Sequence, residues 1–287
     1  DAVELAVTTE AKIEGVVITD PVNESTEVEA IYAKQKSILL QYRVPLFFIV
    51  AISGIDSTAE TGETWAEYAA DIKKIQENVL ADTVSLCPYL WPDMVGTYSG
   101  RLCNRAVTVA DSPMRVATGA LVGQYSERPV DKNGRVLDLG ILKDLADNRF
   151  AVPWWYPQYD GTYFADGALL DADGGDYQVI ENLRVMQKIT RQLYPLQVRR
   201  MSDRTLNTTP VSIAQNKTSF MRPLREMAKE TTLLGNVFPG EIHSPEPGDI
   251  EIKWTSKTAV TIGIAARPYN CPKKITCNLM LDLRNLG

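Results

Sequence analysis

A single histidine, His243, and four cysteines, Cys87, Cys103, Cys271 and Cys277, are the whole supply of soft metal ligands in 287 residues. No two cysteines stand in a CxxC pair, so the closely spaced ligand set of a zinc site is missing. Cysteine usage this sparse fits a reducing compartment with buried or inert thiols. Long apolar runs are missing too. The longest, Val44 to Ile52, is interrupted by Pro45 and has the length of a strand; neither a membrane-spanning helix nor a signal peptide is expected, and no membrane partner. A glycine-rich phosphate loop is also absent. The turn after Ile18 runs from Thr19 to Ser25 with neither GxGxxG nor GxxxxGK[ST], so no backbone amides are freed to approach a pyrophosphate. No cofactor is expected.

Other signals of chemistry are incomplete. Ser53-Gly54 follows a strand-like run but lacks the G-x-S-x-G frame of a nucleophile elbow, and His243, in a proline-rich loop, is the only base a triad would have. Asp171 to Asp176 reads Asp-Ala-Asp-Gly-Gly-Asp, yet the sixth position is Asp176 instead of Gly and the twelfth is Asn182 instead of Glu, so it fails as a calcium loop. Turn and capping chemistry is the expected role of these aspartates. Asn23, Asn207 and Asn216 open glycosylation sequons that mean nothing without secretion.

What the chain does contain is ample apolar material: 45% hydrophobic residues, enough for one large domain or two smaller ones. The net charge of -6 argues against direct binding of nucleic acid. That charge is unevenly placed. From Tyr177 to Lys229 ten Lys and Arg stand against three acidic residues, Glu181, Asp203 and Glu226. Arg184, Lys188 and Arg191 share one helix face, while Val179, Leu183, Met186 and Leu193 lie largely on another; Arg199, Arg200, Arg204, Arg222 and Arg225 follow. Such a row is either a solvated face or a docking face for an acidic partner, where complementary charge steers approach and register more than it adds affinity.

The order of patterns gives an architecture. Gly15 to Ile18 reads as a short buried strand; Val28, Ile31, Tyr32, Ile38, Leu39 and Tyr42 recur at helical spacing, with Asn23 to Thr26 offering caps. Val44 to Ile52 has the pattern of a strand covered on both faces. Thr64 and Glu67 form a capping box ahead of the stripe Trp65, Tyr68, Ile72, Ile75 and Val79. Val84 to Leu90 is a strand and Thr97 to Val107 a helix. This alternation predicts an α/β fold, a mostly parallel sheet flanked by helices, followed by an α+β C-terminal domain ending in an extended strand arm. Beyond a loop with its turn at Asn133-Gly134, a helix is expected over 139–148, a hairpin turning at Asp160-Gly161, a helix from Asp176 to Tyr194 before Pro195, and another within 211–229 with Pro223 as a kink or boundary. The domains divide as 1–135, 136–248 and 249–287.

The last forty residues carry the strictest rhythm. Ile250, Ile252 and Trp254 alternate with polar residues, as do Val260, Ile262 and Ile264, and a third run holds Ile275, Cys277, Leu279, Leu281 and Leu283. Period two predicts three strands, the first two a hairpin. A hairpin alone is marginal in water, so a third strand or a packed helix must complete it. The linker 266–274 contains Pro268 and Pro272 and spans roughly 28 Å at about 3.1 Å per residue, enough to fold home or to reach another molecule.

Three stretches together, DGALLDADGGDYQVIENLRVMQK (166–188), FMRPLREM (220–227) and ARPYNCPKKITCNLMLDL (266–283), resemble the sheath proteins of contractile phage tails, nearest to a branch catalogued as an uncharacterised phage family. The resemblance covers roughly residues 150 to 287. It implies a non-enzymatic, homo-oligomeric subunit stacked as six-membered rings around a tail tube protein, with baseplate and tail terminator proteins as further partners. It also implies a place in the virion tail after assembly in the host cytoplasm, and terminal arms that add strands to neighbouring subunits. On this sequence the hairpin from Ile250 to Ala265 would accept and Ile275 to Leu283 would donate, while Arg184, Lys188, Arg191, Arg199 and Arg200 would face the tube. Two other readings remain open: an α/β enzyme, hydrolase-like or nucleotide-using, with no recognisable motif, and a nucleic-acid-binding module built on the basic segment.

Overall fold

The structure, a computed structural model, describes residues 2–9, 12–123 and 125–278. A short helix α1 (Ala2–Thr8) precedes strand β1 (Gly15–Val22), helix α2 (Ser25–Tyr42), strand β2 (Phe47–Ile52), helix α3 (Trp65–Gln76), strand β3 (Val84–Pro88) and helix α4 (Met94–Leu102). The strands pair in the order β1, β2, β3, all parallel, with Ile49 opposite Val17 on one side and Ser85 on the other. Every residue of β2 and β3 is buried, as their unbroken apolar runs require. β1 departs from expectation: it extends to Val22, and Val22 is its one buried residue.

Local chemistry accounts for the helix starts. Thr64 Oγ1 accepts the Glu67 N–H, and Glu67 Oε2 accepts the Thr64 N–H at 2.8 Å, so the capping box ahead of α3 is present. At α2 the N-cap is Glu24, not Asn23, Ser25 or Thr26; Glu27 Oε2 takes the backbone N–H groups of Asn23 (2.8 Å) and Glu24 (3.1 Å). α4 begins at Met94 instead of Thr97, since Met94, Val95, Tyr98 and Leu102 form the buried stripe. Past Cys103 the chain leaves the helix. Arg101, itself buried, donates to the carbonyls of Pro113, Arg115 and Gly119 and holds the loop that follows.

Helix α5 (Leu139–Asp147) leads into the antiparallel pair β4 (Pro153–Tyr156) and β5 (Tyr159–Phe164). The hairpin turns at Pro157-Gln158, with Tyr156 opposite Tyr159 and Gln158 at φ 63°, not at Asp160-Gly161. Asp160 and Gly161 lie inside β5 where the register slips, and Gly161 takes up φ 103° there.

The remainder comprises α6 (Ile180–Arg199), α7 (Pro210–Met227), and the antiparallel pairs β6 (Thr231–Leu233) with β7 (Asn236–Phe238) and β8 (Ile250–Trp254) with β9 (Val260–Ile264). Among the described residues parallel ladders are confined to the first sheet, to which a parallel bridge from Leu86 to Phe150 is added. α6 starts four residues later than the sequence suggests. The Leu169 N–H donates to Gln178 O (3.0 Å) and the Ile180 N–H to Gly167 O (2.7 Å), which keeps 178–179 extended. Gly167 is required at this crossing, since a Cβ would lie 2.4 Å from Ile180 Cγ2. Pro195 and Pro223 end neither helix. Pro195 and the preceding Tyr194 are exposed, so water can serve the carbonyl that loses its donor.

Two hydrophobic clusters form. The first runs from Val22 through Ile49, Leu86, Phe150 and Phe164 to Ile180 and Leu183; the second gathers Val185, Ile189, Leu193, Phe220, Leu224, Ile250 and Ile252. They meet within α6, and the aromatic hairpin shares the core of the α/β body.

The Glu67 carboxyl is held at about 2, far below the glutamate value of 4.5, first by Lys132 Nζ and then by Thr64. Because the folded value is depressed, its contribution is fully present above pH 4.5 and is lost as pH falls through about 2. Urea unfolding across pH is expected to show wild type above Glu67→Gln at neutral pH and the gap closing over that acid window; a gap independent of pH would contradict it.

Candidate functional site

The terminal hairpin folds as its alternation dictates. Ile250 faces Ile264, Ile252 faces Ile262 and Trp254 faces Val260 across the ladder, putting all six on one face. Ile250 and Ile252 are buried in the second core with α7, while Trp254, Val260, Ile262 and Ile264 are half-buried against it. Among the described residues β9 has β8 as its sole ladder partner. Beside β9 lies an apolar groove of about 400 Å³ whose walls include Leu39, Met186, Ile189, Leu193, Ile262 and Ile264.

The segment after β9 is held at several points instead of hanging free. Arg267 Nη2 donates to Asp249 Oδ1 (2.6 Å), the Tyr269 ring lies 3.9 Å from His243, and Lys273 Nζ reaches Ser112 Oγ (2.8 Å), Asp166 Oδ1 (2.7 Å) and Glu181 Oε1. The residues from Cys271 to Asn278 form no strand; Ile275 is 82% exposed and Cys277 is exposed. Leu279, Leu281 and Leu283 lie outside the described residues.

Lys273 beside Ser112 has the outline of a base and nucleophile. Its electrostatics exclude that use. Burial opposes the ammonium, but Glu181 and Asp166 outweigh it and hold the Lys273 pKa above the ordinary lysine range, so it stays protonated and cannot accept a proton. Burial is also the main reason the Glu181 carboxyl is raised, against the pull of Lys273. Ser53 Oγ bonds Asn23 Oδ1 (3.2 Å), while His243 stacks on Tyr269, so neither partners the other. Asp171 serves as turn chemistry, accepting the N–H groups of Ala172 and Tyr177 at 2.8 Å. Among the described residues no group of three or more metal-binding side chains comes together, and no helix is long and apolar enough to cross a membrane. Of the cysteines, all free, Cys87 is buried and its thiol pushed far up by burial, whereas Cys103, Cys271 and Cys277 are exposed.

The basic row is divided by the fold. Arg184 is buried, its Nε donating to Glu14 Oε1 at 2.8 Å, and Arg191 Nη2 lies 3.5 Å from the same oxygen. Lys188 Nζ holds both oxygens of Glu241, at 2.7 and 2.6 Å. Arg184 is therefore an internal strut and not part of an outward face, while Lys188 and Arg191 are half-buried and paired within the subunit. Arg200 is half-buried on Asn216 and Asp203; Arg199 is exposed. A groove of about 730 Å³ between α6 and α7 collects Lys12, Arg191, Arg199, Arg200 and Arg222 around the single acid Glu226, with Pro195 and Pro223 in its wall. Lys12 carries no sequence signal for this place; it arrives from the start of the chain.

The described residues form an α/β body followed by a terminal hairpin with one open ladder edge. Solved structures agree on the fold. The chain is similar to the sheath of an extracellular contractile injection system (PVC, contracted state), with TM-score 0.56, 14% identity and coverage of 88% of this chain and 68% of that one. It is also similar to a chain of the anti-feeding prophage baseplate, with TM-score 0.52, 12% identity and coverage of 93% and 69%. The family described as DUF2586, N-terminal domain, matches residues 1–168, and its C-terminal domain matches 176–284. A protein assigned as the tail sheath of Haemophilus phage HP1 (strain HP1c1) is 49% identical over 251 residues, 87% of this chain and 67% of that protein. The chain belongs to the DUF2586 family and stands with the phage tail sheath proteins, structural components of the tail and not enzymes. It spans about two thirds of the length of these relatives.

Glu14→Ala leaves Arg184 charged and buried without its partner. Since Glu14 is itself a third exposed, the expected loss of stability is about 2 kcal/mol, at the low end for a broken buried pair. Urea unfolding measures it, and a change within about 0.5 kcal/mol would mean the pair is solvated.

Proposed function

We propose that the chain is the repeating subunit of a contractile tail sheath, polymerising as stacked six-subunit rings around the tail tube through exchange of terminal strands. The observation that carries this reading is β9. It has no second ladder partner among the described residues, and it borders the apolar groove. A hairpin so placed gains from a third strand. The alternating run Ile275, Cys277, Leu279, Leu281 and Leu283 has the rhythm to supply it, with backbone hydrogen bonds providing affinity and every second side chain entering the groove. A free edge is a hazard for a solitary protein, and strand addition converts it into the contact. Donation from one copy to the next is head to tail, so it propagates as rings and helices and does not stop at a dimer.

An array of this kind leaves an acceptor unfilled at one end and a donor unused at the other. Baseplate and terminator proteins are the partners that cap them. The tube is the partner for the groove between α6 and α7, where exposed Arg199 and Arg222 meet an acidic surface. The work is mechanical: the lattice assembles in the host cytoplasm in an extended packing, then passes in the virion to a shorter and wider one that drives the tube through the host envelope for genome ejection. Two packings of one fold separated by a barrier suffice, without nucleotide or other cofactor.

Deletion of 275–287 is expected to abolish sheath and tube formation by the purified protein under negative-stain electron microscopy. Striated tubes formed by the deletion protein would refute strand donation. Reversal of Arg199 and Arg222 to Glu is expected to leave self-assembly intact but reduce nucleation on purified tail tubes about tenfold or more, with the effect in wild type weakening as salt rises. Equal nucleation by the two proteins would remove the groove from the tube contact.

A further inference from the structure

Both terminal segments are tied to the same stretch of α6. On the carboxyl side Lys273 Nζ donates to Ser112 Oγ, Asp166 Oδ1 and Glu181 Oε1. An ammonium has three N–H donors, and three acceptors meet it here, one from the loop that follows α4, one from the chain beside Gly167 and one from the first turn of α6. On the amino side Glu14, just before β1, takes Arg184 Nε at 2.8 Å and lies 3.5 Å from Arg191. Glu181 and Arg184 stand three residues apart and are neighbours on the helix surface.

Glu181 is an expensive residue to place there. Its side chain is 5% exposed and Oε2 is buried with no hydrogen-bond partner, so Lys273 is the charge that offsets its desolvation. An apolar contact would have held the segment more cheaply. The ionic one holds it in a single position, because the ammonium satisfies its three acceptors only when Lys273 sits at that point.

We propose that Lys273 is the positioning residue of the C-terminal segment, and that the start of α6 is a strut joining the two terminal segments, so that tension on one passes to the other through this helix and not through the parallel sheet. Pull entering at Ile275 meets Lys273 before it reaches the Tyr269 stack on His243 or the Arg267 pair with Asp249. From Glu181 the load crosses one helical turn to Arg184 and leaves through Glu14 into the segment ahead of β1. The free length of the C-terminal segment accordingly begins at Lys274, not at Ala266, so the nine-residue linker is not the reach available to it. Only the source of the tension rests on the proposed strand exchange; the anchor is a property of the isolated subunit.

The test uses the unassembled full chain. The double variant Glu181→Gln/Lys273→Met removes both charges of the buried pair; Asp166, whose side chain is 27% exposed, keeps Ser112 Oγ and the Gly167 N–H as partners. Hydrogen exchange over 269–278 is expected to become about tenfold faster or more, while exchange in β2 and β3 and the thermal midpoint stay unchanged. Single-molecule pulling with handles at the two chain ends is expected to show an early low-force extension that wild type lacks. Unchanged exchange over 269–278, or a force–extension trace identical to wild type, overturns the proposal. Should the double variant not fold, Lys273→Arg keeps the charge but replaces the three-way ammonium by a planar fork. Faster exchange over the same segment then supports the proposal, and wild-type exchange overturns it. Polymerisation is not read in any arm, so a failure of strand donation would leave the result standing.

Discussion

One helix belongs to two cores, and the subunit depends on it. α6 sends Ile180 and Leu183 into the cluster under the α/β body, and Val185, Ile189 and Leu193 into the cluster beneath the terminal hairpin. The buried first turns of α6 have little room for charge, yet they include Glu181 and Arg184. Each is tolerated because a terminal segment brings the compensating ion, Lys273 from one end of the chain and Glu14 from the other. Hydrophobic burial fixes that the helix lies between the cores; the ion pairs fix where the ends of the chain leave it.

Outside the three parallel strands, the named strands among the described residues form three separate hairpins, each of which needs support beyond its own ladder. β4 and β5 gain it from the first core through Phe164 and Val152, and β8 gains it from α7. β9 is less well served, with half-buried Val260, Ile262 and Ile264 on one side and the groove along α6 on the other. A hairpin that leaves this edge available among the described residues is consistent with the tail sheath family to which the chain belongs. The same economy explains why the ends are clamped. The two ion pairs make each terminal segment leave α6 at a defined place.

Much of this was legible residue by residue. The alternation at Ile250, Ile252 and Trp254 named the terminal hairpin because period two has no other structural meaning, and Thr64 with Glu67 named the start of α3 because the reciprocal bonds need only local chain. Turns were less legible. Asp160-Gly161 carries the stronger hairpin signal, but the pairing of Pro153 with Phe164 on the core side places the turn at Pro157-Gln158. Pro195 reads as a helix end and Pro223 as a kink or boundary, yet packing of the flanking apolar residues on both sides carries each helix through.

By itself the sequence determined the elements, the pairing of β8 with β9 and the family, since these follow from spacing, capping and local order of residues. Tertiary structure alone decided which charges are free. Arg184, Lys188 and Arg191 look like an exposed row because helical spacing reports only that they share a face, not what covers it. The cover is Glu14 and Glu241, separated from them by 170 and 53 residues. Long-range pairing of that kind leaves no trace in local pattern, for the physical reason that an ion pair depends on distance in space and is indifferent to distance along the chain.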